Sequence, residues 1–235
     1  MDTQTRHALK GDKFAQTAAS GVEWLTGHRS NLTRWIVSAA VVLVVGVAVL
    51  VFWNVQSSAA DSALGIALDA YNAPLAQAGV PLQPGEYATS ADRAKAANQQ
   101  FLDVAKKYGY LQQGAKAHYF AGVTYLDQNQ NGPAETELKT AAGSWNRNLA
   151  NLAKLALAGL YRKTSRDSDA IAIYNQLATK PSDTVSTSVA QLNLADLYAA
   201  SGKQQEARAL WAKVKDADKD GAAGAIAAQK LGAGQ

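Results

Sequence analysis

Nineteen uncharged residues, Trp35 to Trp53 (WIVSAAVVLVVGVAVLVFW), constrain this chain more than any other stretch. Ser38 alone among them is plainly polar. At about 1.5 Å of rise per residue the run reaches about 28 Å as a helix, close to the ~30 Å hydrocarbon core of a bilayer. A tryptophan stands at each end, where an amphipathic ring sits at headgroup level. In water such a helix would be apolar on every face, far wider than the stripe of a surface helix. Nothing nearby is apolar enough to wrap it as a buried core helix. The expectation is a transmembrane helix over 35–53 that divides the chain between two solvents.

The flanks give it a sign. Arg6, Lys10, Lys13, Arg29 and Arg34 precede the run. No lysine or arginine comes after it until Arg93, whereas Asp61, Asp69, Glu86 and Asp92 do. The positive-inside bias places the N-terminus in the cytoplasm and the long C-terminal part across the membrane. Ser58-Ala59-Ala60 would suit a signal peptidase, but the 1–34 head and the length of the run exceed a signal peptide's usual proportions. An uncleaved anchor is expected. Within the head, Phe14, Ala18, Val22 and Leu25 mark one face of a helix over 8–28, with Trp24 beside it. That segment reads either as an interfacial or partner-binding helix or as a loose tail whose cations only set topology. Asn31-Leu32-Thr33 matches a glycosylation sequon on the wrong side of the membrane.

Beyond the span the chain leans helical and holds no cysteine, which removes disulfides, thiolate metal sites and cysteine nucleophiles. The net charge of +4 is dispersed and gives no nucleic-acid footprint. Residues 54–90 read as a joint. Leu64, Leu68 and Tyr71 continue a helical face, so the membrane helix is expected to run on and to fix the height of the outer domain. Pro74, Pro81 and Pro84 with two glycines then form a loop.

From residue 115 the sequence repeats. FAGVTY (120–125), LALAGLY (155–161) and LNLADLY (192–198) each end in tyrosine. Nine residues after each tyrosine stands alanine (Ala134, Ala170, Ala207), and four later a large residue (Leu138, Tyr174, Trp211). Gly122, Ala158 and Ala195, three before each tyrosine, are small enough to admit a partner helix. Turns are expected at Asn131-Gly132-Pro133, Ser165–Ser168 and Ser201-Gly202-Lys203. Ala97 and Phe101 repeat the step in a helix over about 91–108 capped by Ser90, paired with the post-membrane helix over 57–75. A short helix over 222–231 closes the series. Such hairpins cannot bury an apolar face alone and are expected to stack.

This pattern resembles the tetratricopeptide repeat. The family's tryptophan early in the first helix is absent, with His118, Lys154 and Gln191 in its place, and only Pro181 comes near the usual proline. With the span read above, the resemblance implies an all-α fold: one N-terminal transmembrane helix, then a solenoid of helical hairpins over 91–235. A groove lined by each hairpin's first helix would carry Lys116, Tyr119, Val123 and Asp127, then Leu152, Leu155 and Arg162, then Val189, Leu192 and Asp196. That mixture suits an extended peptide or a partner's helix, although several of the apolar groups would equally pack between hairpins.

Catalytic signals are missing. His7 and His28 fall on the opposite side of the membrane from His118, which is expected at a helix-pairing position. Asp216, Asp218, Asp220 and Gly221 match the first half of a calcium loop, but position 12 is Ala227; Asp127, Asn129, Asn131 and Gly132 do likewise with Leu138. Both runs also fit helix ends, and neither a metal nor a cofactor is expected.

An N-in span continuing into ALDAYNAPL, followed by degenerate repeats without cysteine, resembles the YfgM-like family of ancillary Sec translocon subunits. The likeness rests on Phe14, Trp24, the span and Tyr71 more than on a strict motif. It implies a non-catalytic protein of the bacterial inner membrane with a periplasmic repeat domain. Its partners would be translocon subunits, a periplasmic chaperone and emerging polypeptides. An anchored scaffold for another envelope machine, such as cytochrome maturation or cell division, stays open, as does a metal-dependent binder using Asp216–Asp220.

Overall fold

The computed structural model describes residues 29–77 and 79–233. The helix anticipated over 8–28 lies outside them. Among the described residues the chain forms nine helices and no strand: α1 (Arg29–Asn72), α2 (Ser90–Tyr108), α3 (Gln112–Asp127), α4 (Asn131–Ala142), α5 (Arg147–Lys163), α6 (Asp167–Thr179), α7 (Thr187–Ala200), α8 (Gln204–Ala217) and α9 (Ala222–Ala233).

Two compact units meet in sequence at Val55 and Gln56. In the first, α1 is long and apolar enough to cross a membrane, and none of its most apolar window is buried. Trp35 is 76 % exposed and Leu50 70 %. A core helix of a soluble protein would be covered, so burial in this fold does not account for the run.

In the second unit each helix from α2 to α9 packs on its neighbours in sequence, and α3 also meets α5 while α7 meets α9. Three apolar clusters succeed one another along the chain. Ala60, Leu64 and Ala67 of α1 join Phe101 of α2 and Ala121 of α3. Leu138, Tyr161, Tyr174 and Leu194 centre the second cluster, and Ala195, Trp211 and Ala227 the third. The repeated small and large residues supply these cores: Ala134, Ala170 and Ala207 are fully buried, as are Leu138 and, to within 1 %, Tyr174. Gly122 shows why the position must be small. A Cβ there would stand 2.6 Å from Leu138 Cγ on the facing helix.

The hairpin turn is built the same way three times. The carbonyls of Tyr125, Tyr161 and Tyr198 accept the N–H five residues on, from Gln130, Arg166 and Lys203, at 2.9, 2.8 and 2.8 Å. The residue between, four after each tyrosine, takes positive φ: Asn129 at 57°, Ser165 at 59°, Gly202 at 79°. This is a Schellman-type end in which one left-handed residue reverses the chain. The carbonyls of the same Gln130, Arg166 and Lys203 then accept from the buried alanines at 3.1–3.2 Å and start the next helix. Arg166 and Lys203 also stand over the Tyr161 and Tyr198 rings, at 4.0 and 5.4 Å. The first turn therefore lies at Gln128–Gln130, upstream of the expected Asn131-Gly132-Pro133. Those three residues open α4, where a proline's missing N–H goes unneeded.

Two other details differ from expectation. Thr89, not Ser90, caps α2, accepting from Asp92 N at 3.1 Å. The loop after α1 is closed at its base by Ala76 N to Tyr87 O (2.9 Å) and Tyr87 N to Pro74 O (3.1 Å).

Polar groups tie adjacent hairpins. Glu135 on α4 accepts from Lys139 (2.7 Å), Arg166 (2.8 Å) and the Tyr161 hydroxyl (3.0 Å). The Lys139 ammonium above all, with Arg166 and Tyr161, holds its carboxyl at about 2, below the ordinary 4.5. A pKa depressed by folding stabilises the folded state above the ordinary value and loses that contribution as pH falls towards the depressed one. Glu135→Gln should lower the melting temperature by about 2–4 °C at pH 7, the scale of a partly exposed ion-pair network. The difference from the parent protein should close between pH 4.5 and 2 in thermal melts. A gap that persists unchanged at pH 2 would show that the carboxylate charge is not what matters.

Candidate partner-binding cleft

The first helices of successive hairpins run parallel. Gln113 at the start of α3 donates to Ser57 Oγ (3.1 Å) and Asp61 Oδ1 (2.8 Å) of α1, and Tyr71 near the end of α1 donates to Asp127 at the end of α3 (3.2 Å). Lys163 at the end of α5 reaches Asn129 just past α3 (2.7 Å). Three parallel helices, α1, α3 and α5, thus present one face.

On that face lies a cleft of about 400 Å³. Leu64 and Leu68 of α1, Tyr119 and Phe120 of α3 and Leu149 and Leu152 of α5 form its apolar walls. Lys116, Asn146, Asn148 and Thr184 supply polar groups. Tyr119 and Phe120 meet edge to face at 5.2 Å, and Phe120 stacks on Phe101 at 5.2 Å, which anchors the aromatic wall to the core. Aromatic contacts of this kind contribute about 0.5–1.5 kcal/mol beyond their buried area. Burial raises the Tyr119 phenol above its ordinary value, so it stays a neutral hydroxyl at physiological pH. Asn148 is held by Asp183, and its backbone carbonyl accepts from Thr184 at 2.7 Å, which fixes one rim.

Of the residues that sequence reasoning assigned to a groove, the structure gathers Lys116, Tyr119 and Leu152 in this cleft. The others go elsewhere. Leu155 packs half-buried against the second core cluster. Leu192 is 8 % exposed within the third, so its side chain is a core group. Val123 and Val189 are half-buried, and Val189 packs on the second and third clusters. Asp127 accepts the Tyr71 hydroxyl. Asp196 takes Trp211 Nε1 at 3.0 Å and Lys230 Nζ at 2.8 Å. Arg162 lines a more polar recess with Lys163, Asp167 and Ser201. It lies beside Tyr174, whose hydroxyl burial pushes up in pKa against the opposing effect of the guanidinium.

Phe120, Leu149 and Thr184 were not anticipated. Phe120 is adjacent to Tyr119 but points a helical step away, while Thr184 comes from a loop with no periodic signal. Leu64 and Leu68 carried a helical signal without one for the cleft.

The motifs weighed for metal have structural uses. Asp218 follows α8 and accepts Gly224 N at 3.1 Å, capping α9. Asn129 Oδ1 accepts from Lys163. Among the described residues no three His, Asp or Glu side chains are gathered to hold an ion. His118 Nδ1 lies 2.6 Å from Glu137 Oε2 across α3 and α4, within the helix pair. No protein-family model matches the chain, and no curated protein matches it either.

Proposed function

We propose that this chain is a single-pass membrane protein whose tetratricopeptide-like solenoid binds a segment of another protein in the α1–α3–α5 cleft. One observation carries the reading: an aromatic and aliphatic trough, polar at its rim, on the face where parallel first helices meet. A trough of this form suits apolar side chains of an extended peptide or an amphipathic helix. The thrice-repeated turn and the buried small and large pairs support a stacked-hairpin solenoid. The Trp35–Trp53 run supports an uncleaved anchor, and the five N-terminal cations support a cytoplasmic N-terminus with the repeat unit in the periplasm.

In this reading the protein is a scaffold without catalysis. It is placed beside the translocon, receiving emerging chains or the chaperones that take them. Co-purification in mild detergent tests it. The parent protein should retain envelope partners that Leu152→Lys loses, because a lysine head in the apolar trough is desolvated without a counter-charge. Recovery of an identical partner set from both proteins would end the assignment to this cleft. A set lacking translocon and chaperone components would shift the scaffold to another envelope machine.

A further inference from the structure

The end of the repeat unit where the chain enters it carries features the cleft does not use. Trp145, in the turn between α4 and α5, is 81 % exposed. The other tryptophan of this unit, Trp211, is 7 % exposed and bonded to Asp196. Tyr110, in the turn between α2 and α3, is 53 % exposed. Both turns lie at the starts of the parallel first helices. Gln113, three residues past Tyr110, bonds Ser57, which fixes this as the end at which the chain enters the unit. Asn148, three past Trp145, holds Asp183 of the next loop there as well.

Cations slightly outnumber carboxylates at this end, where Asp61, Asp103 and Asp183 are the acidic groups. Lys106, Lys107, Arg147 and Lys180 are exposed. The carboxylates Asp61 and Asp183 each accept from a side-chain amide, at 2.8 and 3.0 Å.

We propose that this end is a lipid-contact surface, with Trp145 seated among headgroups and the surrounding cations drawn to anionic lipid. It rests on the reading of 35–53 as a membrane span. An exposed indole at the end where the chain enters the unit, soon after the 35–53 run in sequence, has the amphipathic character of an interfacial anchor. Each nearby cation adds attraction to an anionic leaflet, screened by salt. The contact is a second attachment of the repeat unit, independent of any partner protein.

Because the chain has no cysteine, single environment-sensitive labels can be attached cleanly. The full chain is reconstituted in protein-free nanodiscs containing phosphatidylglycerol and a headgroup-nitroxide lipid. Labels are placed by Asn54→Cys, Ser144→Cys or Gln130→Cys. Position 54 reads the span, and position 130 reads the opposite end of the repeat unit. The expected result is strong quenching at 54 and 144 and weak quenching at 130. Trp145→Ser should cut quenching at 144 by about half or more, as expected when an interfacial ring is lost. Circular dichroism checks that this surface variant stays folded. Quenching at 54 but not at 144, or quenching at 144 unaffected by Trp145→Ser, overturns the proposal while leaving the span intact. Absence of quenching at 54 overturns both. Quenching at 144 that appears only when envelope extract is added makes Trp145 a protein contact instead and also overturns it.

Discussion

Tyr174→Ala is expected to lower the stability of the repeat unit by about 3–5 kcal/mol, the usual range for emptying a buried aromatic site. The ring is 1 % exposed and sits in the largest core cluster, among Ala158, Leu177 and Leu194. It comes from the second helix of a hairpin, so its loss hollows the contacts with α5 and α7 together. Helices adjacent in sequence pack on one another here, so a fault in α6 loosens both of its neighbours. The melting temperature should fall by about 10 °C or more by circular dichroism. Tyr174→Phe keeps the ring and removes the hydroxyl beside Arg162, so it should cost only about 1 kcal/mol. Equal losses from the two substitutions would mean that the hydroxyl, not ring packing, holds this site together.

Gly122→Val should cost about 3 kcal/mol by overpacking, at the upper end of that class. The first added carbon already meets Leu138 Cγ at 2.6 Å and Cδ2 at 2.8 Å, and Leu138 is fully buried with nowhere to swing. The collision predicts non-additivity. Adding Leu138→Ala should recover part of the loss, with a coupling of about 1 kcal/mol or more in a double-mutant cycle. Gly159→Ala is the control, because a Cβ there meets nothing within 4 Å. It should stabilise α5 by about 0.5–1 kcal/mol through helix propensity alone. Purely additive losses at Gly122 and Leu138 would refute the facing of these two helices.

These two sites also show what could be read from the chain. Spacing identified the small and large partners, because close helix packing imposes a size limit that leaves a trace in residue type. It also located the second and third turns, where Ser165 and Gly202 fall inside the expected stretches, but it misplaced the first. Asn131-Gly132-Pro133 has strong turn chemistry, yet the reversal is made by Asn129, and the same job falls to Ser165 and Gly202 elsewhere. Positive φ is tolerated by several small polar residues, so identity alone does not mark the site. The cleft was legible only in part. Lys116, Tyr119 and Leu152 came from counting along helices, but Leu192 and Leu155 face neighbouring helices. Which apolar residue packs and which stays open depends on the angle between successive hairpins, and helical periodicity does not encode that angle. Thr184 reached the rim because the 180–186 loop folds back onto Asn148, a long-range contact with no local pattern.

Partner binding in the cleft is decided by photocrosslinking from position 119, inside it, with position 176 on the exposed side of α6 as reference. In living cells discrete protein adducts are expected at 119 that are absent at 176 and disappear when Leu152→Lys is added. Matching adducts at both positions, or adducts at 119 that persist with Leu152→Lys, would rule the cleft out as the binding site.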